Sequence, residues 1–510
     1  MEQPKKSGKL TWSERLPLDE QQEVLDVYFD TSRTYDDRIR SLMDKYGLSE
    51  RTIRRGVNAI RTDRDEVEES TEVIQKAEGR ETIDSGWAIV TWCQNATEIN
   101  KGLLENIEFL ANDLGAQVHV IAGQYSNSFK EDEMWWDPRV VKYIDRASHK
   151  FGDVFVRSDI NINPTAIYPL SSLDQMSGRE SIVIGHPKQH LQVVPTLGTS
   201  KKLVASTGAI SKPNYRKGKS GSKGEFAHRY GFLVLNTSSS DVVHVTADAD
   251  GTFYYDNELF KAGTLKHNED RPVYVLGDIH LKQLNQKAWA RTLTRIEELN
   301  PRDVFLHDVF DGYSINHHES KYPMLKLKKA MKGDLSLNNE IRDVLGFLEG
   351  LSKMFPDTNF HVVPSNHDDF LDRWIDGSDW KKDIHNAAEY IDLAHMKMRT
   401  ENALLVELIS RMDLENVFAK NIDESTYIYD TELNMHGHLG PNGARGAIRN
   451  FDKLHVNSAV GHSHSPGKLT NCTQVGVLAE LKQGYNKGPS SWAHANAIIY
   501  PDGSSTLDFI

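Results

Sequence analysis

VLGDIHLKQ, Val275 to Gln283, begins as an apolar run and ends on Asp278 and His280. An ionised carboxylate at the end of a buried strand is costly unless a positive charge meets it. The stretch therefore predicts a strand, Val273–Gly277, whose end presents an aspartate and an imidazole to a dication. In extended geometry the i, i+2 spacing puts both side chains on one side.

Four later segments repeat the pattern. Val304–Leu306 leads into HDVFDG, with Asp308 and Asp311, and Phe360–Val363 leads into SNHDD, with Asn366, His367 and Asp368. Glu432–Met435 leads into HGH, with His436 and His438, and Ser458–Val460 into GHSH, with His462 and His464. Helical stripes separate the first three strands: Leu293, Ile296 and Leu299, then Ile341, Leu345, Leu348 and Leu351. Alternating strands and helices predict an open α/β sheet, in which the carboxyl ends of the strands line one crevice. The donors are oxygens and imidazoles, which suit Mn(II), Fe, Zn or Mg rather than a thiolate zinc site. Seven donors exceed the needs of one ion and fit two ions that share a carboxylate.

In the order DxH, DxxD, NHD, HGH, GHxH, the segment from Arg271 to Ile510 resembles the calcineurin-like metallophosphoesterase superfamily. The resemblance implies two β-sheets sandwiched between helices. It implies Asp278, His280 and His464 on one ion, Asp308 bridging both, and Asn366, His436 and His462 on the other. His367 falls in the position of the family's catalytic histidine, to contact the scissile phosphate or protonate the leaving group, with Asp368 orienting it. The sequence departs from the family at His307 and Ser365, where glycine is usual. His438 is the alternative to His436, and His317 and His318 are candidate substrate contacts. A pair of cations, Mn(II) first, would lower the pKa of a bridging water, and the resulting hydroxide would attack phosphorus in line.

Upstream, DDRIRSLMDKYGLSERTIRRGVNAIR reads as helix, turn, helix. Ile39, Met43 and Tyr46 share one face, Gly47 suits the turn, Ser49 caps the next helix, and Ile53, Val57 and Ile60 face inward. That leaves Arg51, Arg54 and Arg55 outward, in a helix-turn-helix-like arrangement suited to DNA. WAIVTW, a stripe of Leu103, Ile107, Leu110 and Leu114 ending at Gly115, and VHVIAG predict a strand–helix–strand unit of parallel type. The segment Lys212–Arg229, with Lys217, Lys219 and Lys223, reads as a basic loop able to track a phosphate backbone. Expected domains are a helical unit over 1–70, a linker over 71–85, an α/β accessory domain over 86–268 and the metallophosphoesterase domain over 269–510. A helical cap is expected before HGH, and a C-terminal hairpin around Pro501-Asp502-Gly503.

The 510 residues are too many for one core. Two cysteines, Cys93 and Cys472, exclude a disulfide framework. No apolar run reaches the roughly 20 residues of a membrane span, and the first residues lack a signal-peptide core, so a cytoplasmic protein is expected. The net charge of −13 argues against a simple nucleic-acid coat. The expected function is a two-metal DNase. Its catalytic part is similar to SbcD-type repair nucleases, and its overall plan to phage-encoded proteins that degrade host DNA. Lys326, Lys328, Lys329 and Lys332 add basic charge to that reading. The alternatives are a phosphatase or phosphodiesterase for phosphoproteins or nucleotides, and a non-catalytic DNA-binding or assembly protein. A homo-oligomer is compatible with each.

Overall fold

The computed structural model describes residues 12, 15–30, 32–61, 86–125, 135–144, 146–198, 201–239, 241–266, 270–316, 322–377, 379–483 and 486–510. The 71–85 linker, His317 and His318 lie outside the described residues. The chain divides into two compact units, Met1–Gly79 and Arg80–Ile510. Among the described residues, no helix is long and apolar enough to cross a membrane.

The first unit has the helices Leu18–Phe29, Tyr35–Tyr46 and Glu50–Arg61. Thr34 caps the second by accepting from the Asp37 amide at 3.3 Å, which satisfies an otherwise orphaned donor. Gly47 ends that helix in the left-handed region, φ 62°, where glycine carries no Cβ penalty. Val24, Tyr28, Ile39, Leu42, Ile53 and Val57 form the core, with Met43 and Tyr46 partly buried against it. Arg51 is exposed, and Arg54 pairs with Glu50 at 2.7 Å. The side chains of Arg55 and Ile60 lie outside the described residues.

Among the described residues the second unit is mixed α/β with three sheets. In the seven-stranded sheet, Trp87–Gln94 pairs in parallel with Gln117–Gly123, and the helix Lys101–Leu114 joins them, ending at Gly115. The six-stranded sheet sets Val273–Val275, Asp303–His307, Asn359–Val363 and Val417–Ala419 side by side in parallel. An antiparallel hairpin, Ala495–Ile499 with Ser505–Phe509, completes it. Period-two alternation separates its faces. Val273, Val275, Phe305 and Val363 bury themselves with Val183, Leu203 and Ala459 of the ten-stranded sheet. Tyr274, Leu276, Val304 and Leu306 bury themselves with Ile296, Leu299, Val344 and Leu348 from the helices Gln286–Leu299 and Leu337–Met354.

Residues 86–268 are not an independent domain. The ten-stranded sheet takes Leu191–Val193 from that region and Gly467–Lys468 from the C-terminal region and pairs them antiparallel. An edge strand from each region covers the other, so 268/269 is not a boundary in the fold. The expected cap is real as helices, Asp369–Asp376, Ala387–Lys397 and Leu404–Ser410. Its Trp374, Leu404, Leu405 and Ile409 belong to the same core as the six-stranded sheet. The basic segment is no open loop either: Lys219–Phe226 is helical, with Lys217, Lys219 and Lys223 exposed. Lys329 is buried, donates to the Tyr313 carbonyl at 2.8 Å and covers the Tyr313 ring, so it is unavailable to a phosphate backbone.

Candidate metal centre

The chain reaches the site by sharp turns rather than by prolonging its strands. The first strand stops at Val275, and His280 lies at φ 46°. Extended geometry therefore does not carry Asp278 and His280 to one side; a left-handed turn does. Asp308, His462 and His464 also have positive φ, 47°, 71° and 60°. Each such non-glycine residue costs of order 1 kcal/mol or more. Four of them at expected ligand positions mark a place where the surrounding packing over-determines the backbone. Gly461 is required by contact: a Cβ there would lie 2.2 Å from Asp278 Oδ1.

Asp278, His280, Asp308 and His464 are all buried and bring one donor atom each within 4.8 Å of one another. His464 Nε2 stands 3.1 Å from Asp278 Oδ2 and 3.1 Å from His280 Nε2. His436 Nε2 stands 3.2 Å from Asp308 Oδ2. His462 donates its backbone amide to Asp278 Oδ1 at 3.1 Å, and its ring lies 5.3 Å from that of His436. His438 packs beside both rings, but His436 is the one that meets Asp308. Asn366 has a buried Oδ1 with no hydrogen-bond partner among the described residues.

The electrostatics favour positive charge here. Burial acts to raise the Asp278 pKa, but His436 and His464 outweigh it and bring it down to about 2. Burial opposes the ionised Asp308 too, and His436 and His367 hold its pKa well below the ordinary carboxylate value. Burial disfavours the charged form of His280, yet the Asp311 hydrogen bond and the Asp308 charge lift its pKa to about 9. Two buried carboxylates thus recruit protons onto neighbouring imidazoles, and a dication satisfies the same demand. Asp308 Oδ1, His464 Nδ1 and both ring nitrogens of His438 have no hydrogen-bond partner among the described residues. Buried polar atoms left this way are rare in folded proteins and fit a cation as the missing partner.

Asp311 is the functional residue that the motif reading left without a role. Its Oδ1 faces His280 Nδ1 at 2.9 Å, its Oδ2 accepts from the Lys282 amide at 2.8 Å, and its carbonyl accepts from His367 Nδ1 at 2.8 Å. It therefore aims two histidines at once; the DxxD spacing was its only signal. Asp368 does not orient His367. Its Oδ2 accepts from the Ser365 amide at 2.9 Å, and burial, with Asp308 nearby, raises its pKa well above the ordinary value. Glu340 fixes the loop after Asp311 by accepting from the Tyr313 and Ser314 amides at 2.7 and 2.8 Å. His307, where glycine was expected, places Nδ1 3.2 Å from His436 Nδ1 and joins Asp278 and His436 in a second group able to hold a cation. The Trp492 ring closes on His464 at 4.2 Å.

The chain is similar to "Protein A1" of Escherichia phage T5, with 31% identity over 459 residues, 82% of this chain and 81% of the relative being covered. That name states no activity. No protein-family model matches the chain, and no solved structure matches it.

Proposed function

This chain belongs to the family of Protein A1 of Escherichia phage T5, and from that premise we propose that it is a two-metal phosphodiesterase acting on DNA in the host cytoplasm. The observation that carries the reading is the convergence of Asp278, His280, Asp308, His436 and His464 from separate strand ends, with the His367 ring 4.8 Å from that of His280. The motif set resembles calcineurin-like metallophosphoesterases, and the sheet-on-sheet core with outer helices is the packing that such a resemblance implies.

Asp278, His280 and His464 would hold one ion, Asn366, His436 and His462 the other, and Asp308 both. Mn(II) is the first candidate, with Mg, Fe or Zn as others. Bound divalent ions would supply Lewis acidity at the phosphoryl oxygens and a water ionised near neutral pH. The chain's own part is positional. The Asp311 carbonyl accepts a hydrogen bond from His367 Nδ1–H, which leaves Nε2 to face substrate. As the imidazolium, His367 donates that Nε2 proton to the departing oxygen, a role worth typically 10²–10⁴-fold in rate. Arg51, Lys217, Lys219, Lys223, Lys326, Lys328 and Lys332 are exposed cations available to a phosphate backbone. Against a net charge of −13, contacts of this kind make binding weaken with salt.

The test is plasmid cleavage with Mn(II), with and without chelator, by the wild type, Asp308→Ala and His367→Ala. Metal-dependent cleavage lost in both folded variants is expected. Cleavage at equal rates in all three would refute the assignment of this site. Turnover of a chromogenic phosphodiester without DNA cleavage would favour the smaller-substrate reading. A DNA mobility shift with neither activity would favour the non-catalytic one.

A further inference from the structure

The strands Thr431–Glu432 and Asn457–Val460 run parallel and release His436 and His462 beyond their carboxyl ends. At their amino ends Thr431, Asn457 and Ser458 line a separate cavity of about 300 Å³, and none of the seven expected ligands lines it. The shared sheet creates this cavity, because Gln189, Arg229 and Thr246 come from one region of the chain and Lys468, Thr473 and Ser505 from the other.

Its walls contain two cations, Lys468 and Arg229, with the Asp502 carboxylate acting on the first and Asp452 on the second only from beyond contact. Lys468 is 6% exposed, and its Nζ donates to the Ser505 carbonyl and to Ser505 Oγ. Among the described residues the Arg229 guanidinium uses only Nη1, on the carbonyls of Phe226 and His228 at 2.9 and 3.3 Å. Among the described residues, no carboxylate lies within ion-pair distance of either group. Burial, reinforced by Arg229 and only partly offset by Asp502, pushes the Lys468 pKa down to about 7. Cations withdrawn from water in this way are stabilised by an anion that enters with them. Hydroxyls stand beside them: Thr473 Oγ1 and Ser505 Oγ are 2.8 Å apart. Asp248 and Asp502 line the same cavity and suit ligand hydroxyls as donors.

We propose that this cavity is a binding site for a sugar phosphate, its phosphate held by Lys468, Arg229 and the Ser505 and Thr473 hydroxyls and its hydroxyls by Asp248 and Asp502. The volume lies at the lower end of small-ligand pockets, which excludes a duplex. The site stands independently of the metal centre and of the reaction proposed for it.

The test uses the full chain stripped of divalent ions with chelator, so that phosphate has no metal to bind. Inorganic phosphate, ribose 5-phosphate and ribose are titrated calorimetrically against the wild type, Lys468→Met, Arg229→Gln and Asp308→Asn. Ribose 5-phosphate is expected to bind more tightly than phosphate, and ribose not at all. Each cation variant should weaken ribose 5-phosphate at least tenfold, and Asp308→Asn should leave it unchanged. If circular dichroism shows Lys468→Met unfolded, Arg229→Gln decides. No binding by the wild type, undiminished binding in Arg229→Gln, or loss in Asp308→Asn would overturn the proposal. Phosphate binding as tightly as ribose 5-phosphate would overturn the sugar assignment.

Discussion

At the scale of single residues, the candidate centre depends on close approach as much as on donors. Gly461 admits Asp278 Oδ1 where a Cβ would lie 2.2 Å away. Gly461→Ala should therefore displace the carboxylate and weaken Mn(II) binding, measured calorimetrically, by an order of magnitude or more, with little change in secondary structure. Unaltered affinity would show that Asp278 does not ligate. Asp311 reaches no ion in this scheme, yet it aims His280 and His367 together. Partners that orient ligating histidines typically contribute 10–100-fold to affinity or activity. Asp311→Asn keeps the backbone carbonyl and removes the carboxylate charge, so metal affinity should fall by about that factor, while the His367 ring stays in place. Loss of the ring's position, seen by crystallography, would contradict that division of labour. The donors were legible because each follows an apolar run. The left-handed turn at His280, the role of Asp311 and the contact between His307 and His436 were not. They depend on backbone direction and on neighbours distant in sequence, which residue types do not encode locally.

Elements were legible where local physics dominates. Helix ends followed their caps, as at Gly47 and Gly115. Ser336 accepts from the Asn339 amide at 3.3 Å at the start of Leu337–Met354. Ser336→Ala should cost about 1 kcal/mol in urea unfolding, and a change within error would mean that water replaces this cap at no cost. The helix Lys219–Phe226 was misread as a loop because it contains Gly221 and Gly224, poor helix formers. Their reason is the close fold-back of the preceding residues: a Cβ at Gly221 would lie 1.7 Å from the Arg216 carbonyl, and one at Gly224 would lie 3.1 Å from the Tyr215 ring. Composition argued one way and packing the other, and packing won. In the first unit the helical stripes were sufficient. Ile53 is fully buried among Val24, Ile39 and Val57, so Ile53→Ala should destabilise that unit by roughly 2–5 kcal/mol.

For the whole second unit, the feature that the sequence concealed is the sheet that two distant regions share, since the pairing of Leu191–Val193 with Gly467–Lys468 leaves no local trace. Buried polar side chains border that sheet, among them His186, His190 and His244, the last on the seven-stranded sheet's Asp241–Ala247 strand. Desolvation pushes His186 and His244 down to about 3, His228 down to about 4, and His190 well below its ordinary value. All four are neutral in the fold. In the unfolded chain each takes up a proton below its ordinary pKa of about 6.5. Between roughly pH 6.5 and 4 the unfolded state binds more protons, so stability falls as pH falls through that window, by at most about 1.4 kcal/mol per pH unit for each histidine. Above pH 6.5 their contribution is complete. His280 and His436, whose pKa values are raised, act in the opposite sense, so the total slope alone does not isolate the effect. A single substitution does. His244 donates from Nε2 to the Ser206 carbonyl at 2.8 Å, and His244→Gln keeps a donor while removing the titration. Urea unfolding at pH 7, 6 and 5 should show a shallower loss of stability in the variant than in the wild type, by up to about 1.4 kcal/mol per pH unit. Parallel curves would mean that His244 titrates alike in both states, and that the contact between the seven-stranded and ten-stranded sheets at Ser206 admits a proton after all.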